Sequence, residues 1–427
     1  MKDTHSTPPQ KLWTRDFTII TVGSVISMMG SMLTVFALSL LVLDYTQSPL
    51  YFALYLASYN LPQIIMPIFS GAILDRFSRR KAIYTLDFIS TGLYLLAAWV
   101  MWMGWFNFPV LACFCFVLGS ISSIYNVAYQ SFYPLLISPG NFSKAYSISG
   151  LLENLAVIMV PVSALIYRAV GIVPILVVDG LSYLVAAILE TRIQGREDYL
   201  ETRRLAEGSA ASTGRRLLRD VREGFQYLLG EKGLLMVAVY FTFSALSQGA
   251  ATAVTLPFFK SHFLDGPSIL LTGEYLFLIV QGASVLGRGL GSIFHYRVQM
   301  PARWKYRVAL GVYMAVGIIG GIYLYLPLPV MIPLFFVYGL LGITSYTIRI
   351  SATQSYVPDE KKGRFNGAFN MLSTTGNLAG TLLAGTLTEF IPVRGVLLGF
   401  CLLEAVMALV LIGGNRKAIA PIYNRQQ

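Results

Sequence analysis

Twelve apolar runs, each long enough to cross a bilayer as a helix, constrain this chain more than any other feature. A span needs ~20 apolar residues at about 1.5 Å rise per residue. Such runs fall at 17–43, 50–73, 82–105, 109–133, 146–168 and 172–190, and again at 233–260, 270–295, 308–326, 328–355, 365–390 and 393–414. A backbone N–H facing hydrocarbon finds no partner, so each run must close its hydrogen bonds as a helix. Prolines inside the runs, such as Pro62, Pro161 and Pro333, are tolerated in helix bundles. Only 12% of the residues are charged, about half the share of a soluble domain, so lipid has to cover the remaining surface. The first run, Phe17 to Leu43, exceeds the apolar core of a secretion signal and is expected to be a span.

The formal net charge of +11 would suit a nucleic-acid binder, but the position of the cations argues against one. Of the 32 Lys and Arg, 27 lie in the two tails and in alternate loops. The opposite loops hold only Arg168, Lys260 and Arg394. This bias encodes orientation in membrane proteins, and it predicts a multi-pass protein of the cell membrane with both termini cytoplasmic.

The one long polar stretch, 191–232, separates two groups of six spans. The expected organisation is therefore a bundle over 1–190, a cytoplasmic linker over 191–232 and a second bundle over 233–427. Within the linker Leu217, Leu218, Val221, Phe225, Leu228 and Leu229 recur at helical spacing, opposite Arg215, Arg216, Arg219 and Arg222. That pattern predicts a helix lying on the inner leaflet or an ordinary solvated linker helix.

The two halves resemble one another. Gln130-Ser131-Phe132-Tyr133-Pro134, Phe142, Ala145, Tyr146 and Asn154-Leu155-Ala156 recur as Gln354-Ser355-Tyr356-Val357-Pro358, Phe365, Ala368, Phe369 and Asn377-Leu378-Ala379. Duplicated six-span units are how many transporters obtain two bundles that rock about a central site. The fold expected is all-α: twelve transmembrane helices in two pseudo-symmetric bundles.

The loop after the second run reads Gly71-Ala72-Ile73-Leu74-Asp75-Arg76-Phe77-Ser78-Arg79-Arg80-Lys81. It resembles the signature loop of the major facilitator superfamily, G-x-L-a-D-r-x-G-r-[RK], matching at Gly71, Asp75, Arg76, Arg79 and Arg80 and departing at Ser78. Thr46-Gln47-Ser48-Pro49, Asp179-Gly180-Leu181-Ser182-Tyr183 and Val357-Pro358 with Gly363-Arg364 are similar to the macrolide-efflux and enterobactin-exporter type. On its own chemistry Asp75 can cap a helix start or pair with Arg76 or Arg79. The resemblance implies that it latches the halves against the start of the eleventh span near Arg364. In the second half the equivalent loop is Gly291-Ser292-Ile293-Phe294-His295-Tyr296, with His295 where the acid would stand.

Charges inside spans are costly and mark function or structural pairing. Glu153 and Arg288 lie at equal depth in the fifth and eighth spans, which the resemblance places face to face, and are read as an inter-bundle ion pair or as separate structural charges. Asp87 and Arg349 are expected to join a charge network or to cap helices within their own bundles. Glu404 lies near mid-membrane in the twelfth span, and any of Asp87, Glu153 or Glu404 is a candidate for a coupling proton. Candidates for a substrate cavity are Tyr59, Gln63, Asn126 and Gln130 in the first half, and Gln248, Gln281, Asn370 and Asn377 in the second. Each is otherwise read as glue between helices. Gly287-x-x-x-Gly291 and Gly376-x-x-x-Gly380 are read as packing motifs.

The three cysteines and three histidines are scattered, so neither a disulfide framework nor a metal site is expected. No catalytic dyad and no phosphate-binding glycine loop is present, and no cofactor or enzymatic activity is expected. The sequence predicts a secondary transporter working by alternating access as a monomer in the lipid bilayer. Its expected cargo is an amphipathic small molecule such as a drug, antibiotic or siderophore, exported in exchange for protons as a multidrug-type antiporter. The fifth span keeps only Pro161 of the exporter pattern, which leaves uptake of a nutrient or lipid as the alternative. A non-transporting receptor or membrane enzyme is the alternative of another class.

Overall fold

The computed structural model describes residues 12–74, 78–138, 159, 162–194, 222–263, 272–297 and 300–425. Every regular element among them is a helix. The first half holds α1 (Arg15–Thr46), α2 (Pro49–Leu74), α3 (Arg79–Trp102), α4 (Phe108–Phe132), α5 (162–170) and α6 (Ile172–Glu190). After the linker come α7 (222–230), α8 (Lys232–His262), α9 (Gly273–Arg297), α10 (Ala302–Ile322) and α11 (Leu328–Tyr356). The chain ends with α12 (Asp359–Leu387), α13 (Val393–Met407) and α14 (Arg416–Tyr423).

Nine of the described helices are long and apolar enough to cross a membrane. With α2 and α12, at 26 and 29 residues, and the partly described α5, they occupy the twelve positions expected. Local chemistry sets where they begin and end. Ser78 and Asn107 accept the backbone N–H groups of Lys81 and Val110 and so cap α3 and α4. Pro301, Pro327, Pro358 and Pro392 each stand immediately before a helix, where a fixed φ helps and no N–H is missed. Gly171 breaks α5 from α6 at φ 75°, a conformation that residues with a Cβ rarely adopt.

Two helices start earlier than hydropathy indicates. α10 begins at Ala302 rather than 308, and α12 at Asp359 rather than 365. Their first turns carry Arg303, Lys305 and Arg307, and Asp359, Glu360, Lys361 and Lys362. An apolar window counts only the hydrocarbon-crossing part, whereas the backbone hydrogen bonds run on past it.

The chain divides into two compact units, one of Met1–Tyr45 and Ser58–Arg216, the other of Thr46–Ala57 and Leu217–Gln427. The opening turns of α2 therefore group with the second unit, where Ala53 is fully buried and Ser48 donates to Glu389 at 2.8 Å. In the first unit Phe17, Ile20, Ile83, Phe132 and Tyr133 form an apolar cluster. The second unit is built on backbone contact. A Cβ on Gly380 would strike the Leu246 carbonyl, and one on Gly287 the Phe336 carbonyl. These positions bring α12 against α8 and α9 against α11 more closely than any side chain permits.

α7 turns Phe225 and Leu228 into the core of the second unit and leaves Leu229 exposed. Its described turns thus bury Phe225 and Leu228 on protein. Glu223 pairs with Arg364 at 2.8 Å, Lys361 lies 4.7 Å over the Tyr227 ring, and Tyr356 donates to Glu231 at 3.2 Å. The arginines at 215, 216 and 219, and the apolar residues from Leu217 to Val221, lie outside the described residues.

Candidate functional site

The first unit contains a cavity of about 930 Å³ between α1, α2, α3, α4 and α6, within the size range of sites for drug-sized ligands. α1 contributes Ser24, Ser27 and Ser31, spaced three and four residues apart so that they share one helix face. Their hydroxyls donate into their own helix: Ser24 to the Ile20 carbonyl at 2.7 Å, Ser27 to Gly23 at 3.2 Å and Ser31 to Ser27 at 2.9 Å. The protons are thereby engaged, and the hydroxyls turn lone pairs toward the cavity.

Aromatic rings form much of the remaining wall. Tyr125, Tyr129 and Tyr133 succeed one another at four-residue steps from α4 into the 3₁₀ turn Tyr133–Leu136. Their centroids are 6.1 and 5.1 Å apart in stacked geometry. Opposite them, Tyr94 of α3 stacks on Tyr183 of α6 at 5.5 Å. Tyr183 is also hydrogen-bonded to the Ser31 hydroxyl at 2.8 Å. Tyr59 comes close because Gly119 of α4 leaves room for its backbone carbonyl.

Among the described residues one charged side chain lines this cavity, Asp87 of α3. It is 1% exposed, and neither of its carboxylate oxygens accepts a hydrogen bond from the described residues. Glu190, at the last turn of α6 and 0% exposed, faces it. Tyr125 donates to one Glu190 oxygen at 3.3 Å, and the other has no donor. No described cation pairs with either acid. Asp179, also fully buried, is differently placed: its Oδ1 takes the Ser182 hydroxyl at 3.3 Å and lies against Gly30 of α1.

Of the first-half residues expected in a cavity, Tyr59, Asn126 and Gln130 line this one. Gln63 is half-buried in α2 and is not part of its wall. In the second unit Gln248 and Asn370 are exposed and Gln281 is half-buried, and Asn377 donates to the Ala245 carbonyl at 3.4 Å, bridging α12 to α8. Gly376 and Gly380 pack against the α8 backbone, and Gly287 and Gly291 against α11.

The remaining charges each have a local setting. Arg349 lies over three rings of its own unit, Phe369 at 4.6 Å, Phe241 at 5.0 Å and Tyr346 at 5.4 Å. Glu404, 4% exposed, is buried in the second unit within reach of the Ser244 and Ser247 hydroxyls. Arg288 is exposed, with its guanidinium beside Gly342. Glu153 lies outside the described residues. So do Asp75 and Arg76 of the signature loop, and of Gly71 only the helical backbone is described. Arg79 donates to the Ser131 carbonyl at 3.0 Å and Arg80 to the Ile193 carbonyl, so both tie the start of α3 to the ends of α4 and α6, where carbonyls lack helical partners. His295 is 2.8 Å from the Thr344 hydroxyl. Among the described residues no group of three His, Cys, Asp or Glu could hold a metal ion.

Sequence reading missed the serine face and Glu190. The serine spacing in the first run carries the first signal. Glu190 sat at the edge of an apolar run, where an acid reads as the start of a loop.

Comparison with known proteins agrees with this architecture. The uncharacterized MFS-type transporter YkuC of Bacillus subtilis (strain 168) is 23% identical over 289 residues, which cover 67% of this chain and 66%, just under two thirds, of that relative. A second from the same organism, the uncharacterized MFS-type transporter YfiS, is 24% identical over 92% of this chain and 91% of its own. Among solved structures, the nucleoside transporter NupG superposes with a TM-score of 0.67 at 11% identity, over 94% of this chain and 99% of its own. An auto-inhibited POT family peptide transporter gives 0.63 at 12% identity, over 95% and 97%. The sequence matches the Major Facilitator Superfamily over residues 20–381. With twelve helical positions, two units and a ligand-sized cavity in place, this multi-pass membrane chain belongs to the major facilitator superfamily of transporters.

Proposed function

We propose that the protein exports an amphipathic organic compound in exchange for protons, by alternating access. The observation that carries this reading is the cavity of about 930 Å³ in the first unit, whose wall joins tyrosine rings and methionines to a stripe of hydroxyls. Rings and thioethers adapt to varied apolar shapes, while hydroxyl and carboxyl groups orient a polar end. The likeness of Thr46-Gln47-Ser48-Pro49 and of the Asp179–Tyr183 stretch to macrolide-efflux facilitators supports the outward direction.

In this reading the bundles over 1–190 and 233–427 are the moving bodies, and the signature loop with Arg364 guards the cytoplasmic side. The bias of Lys and Arg toward alternate loops supports a cell-membrane orientation with both termini inside. The protein acts as a monomer on a small-molecule substrate, with protons as the coupling ion.

Reconstitution into proteoliposomes tests the proposal. A panel of amphipathic solutes is offered outside vesicles carrying the protein inside-out and acidified in the lumen. Accumulation that collapses when a protonophore is added supports exchange with protons. Accumulation only in right-side-out vesicles with an acidic exterior would replace export by uptake. Gradient-independent equilibration would make the protein a uniporter.

A further inference from the structure

We infer that the first-unit cavity takes an organic cation, with Asp87 as its counter-ion. The inference rests on the reading of this cavity as the substrate site and names the chemical class of what it holds.

Three observations converge on a positive charge. Asp87 is the one charged residue in the wall among the described residues. An anionic cargo would therefore meet like charge at the facing Asp87 and Glu190 carboxyls. Next, both Asp87 oxygens are buried and take no hydrogen bond from the described residues. Natural proteins rarely leave buried acceptors unsatisfied, and doing so at a cavity wall is understandable where a ligand completes the set. The neighbouring acid takes the Tyr125 hydroxyl and lies against Asp87, whereas no hydroxyl, amide or cation among the described residues donates to Asp87. Finally, the rest of the wall suits a cation. Tyr59 and the stacked sets Tyr125, Tyr129, Tyr133 and Tyr94, Tyr183 bring electron-rich rings to it. The α1 serines, their protons engaged within the helix, offer acceptors.

Geometry excludes the other buried acids from this role. Asp179 is not part of the cavity wall and packs against Gly30, and Glu404 lies among serines of the second unit. The cavity is too large for an inorganic ion and holds, among the described residues, no cluster of acids able to strip one of water. Its volume and rings fit a drug-sized ammonium, guanidinium or phosphonium ion.

The test uses two probes of nearly the same shape and opposite charge, tetraphenylphosphonium and tetraphenylborate. Binding of radiolabelled phosphonium to the purified full-length protein in detergent is measured by equilibrium dialysis, with the borate measured in parallel. Saturable phosphonium binding at one site per chain, at least tenfold tighter than that of the borate, is expected. Asp87→Asn is expected to weaken the phosphonium at least tenfold, and Asp87→Glu to restore part of the loss. A matching melting temperature for Asp87→Asn shows that the variant is folded. Borate binding as tight as that of the phosphonium overturns the inference in the unmodified protein, whatever the variants do. Undiminished phosphonium binding by folded Asp87→Asn also overturns it. Because binding in detergent needs neither direction nor gradient, cation selectivity survives a failed export assay, and a failed dialysis leaves the direction of transport to the vesicle experiment.

Discussion

The two units share a plan yet treat buried polar groups in opposite ways. In the first, side-chain oxygens of Thr21, Thr34, Asp87, Asp179 and Glu190 are buried without a hydrogen-bond donor among the described residues. In the second, Arg349 is covered by three aromatic rings and Glu404 lies among serine hydroxyls. The offset of 224 residues that relates Gln130 to Gln354 pairs Tyr125, a cavity-wall residue that donates to Glu190, with Arg349, which is wrapped by its neighbours. Among the described residues the first unit holds several unmet buried oxygens, those of Asp87 at a cavity wall, whereas in the second the one such atom is Arg394 Nε.

The comparison can be broken most severely at the glycine seam of the second unit. Gly380→Leu would drive a side chain into the Leu246 carbonyl, and loss of folded, monodisperse protein in size-exclusion chromatography is expected. Normal yield and elution would show that α8 and α12 can part, and that close backbone contact does not define this unit. A paired experiment on the buried charges comes next. Arg349→Ala removes a cation held by three rings and should lower unfolding stability by about 2 kcal/mol, the scale of a desolvated cation–π contact. Asp87→Asn removes a charge that the described protein leaves unsatisfied and should leave stability unchanged or raise it. Thermal melts in detergent report both, and equal losses would erase the distinction between the units.

Tyr183→Phe sharpens the picture on the first-unit side. It deletes the 2.8 Å bond to Ser31 and should cost about 1 kcal/mol by denaturation, the usual net value of one hydrogen bond. The smallest effect is expected at Glu223→Gln. The Glu223–Arg364 pair is 36% and 44% exposed on its two sides, and such pairs contribute about 1 kcal/mol or less. Any loss should fade as salt is raised, and a large, salt-independent loss would show that α7 depends on this contact more than on Phe225 and Leu228.

Much of the fold was legible because the bilayer imposes one length scale and one rule for backbone hydrogen bonds. The apolar run at 172–190 coincides with α6, and that at 328–355 with α11 to within a residue. Hydropathy could not register the charged first turns of α10 and α12, since a helix continues into water without any change in backbone geometry. Nor could it find α14, Arg416–Tyr423, which is short and opens on two cations. The site was legible in part. Asp87 stood out because a charge in an apolar run demands explanation, and Tyr59, Asn126 and Gln130 because polar groups there are uncommon. Gln63 sits one turn from Tyr59, yet the two have different surroundings. Spacing fixes the face of a helix, and only packing decides what that face meets. For the same reason Asn377 could be named in the sequence but not distinguished as a bridge to Ala245.

The contacts at Gly376, Gly380 and Gly287 have a mechanical consequence. Main chain resting on main chain has no rotamers to rearrange and little compliance, so α8 with α12, and α9 with α11, should each be displaced as a stiff blade. Whatever deformation a working stroke requires must then be absorbed at the ends of these pairs, in the connecting turns, and the seams themselves would pass motion along undiminished.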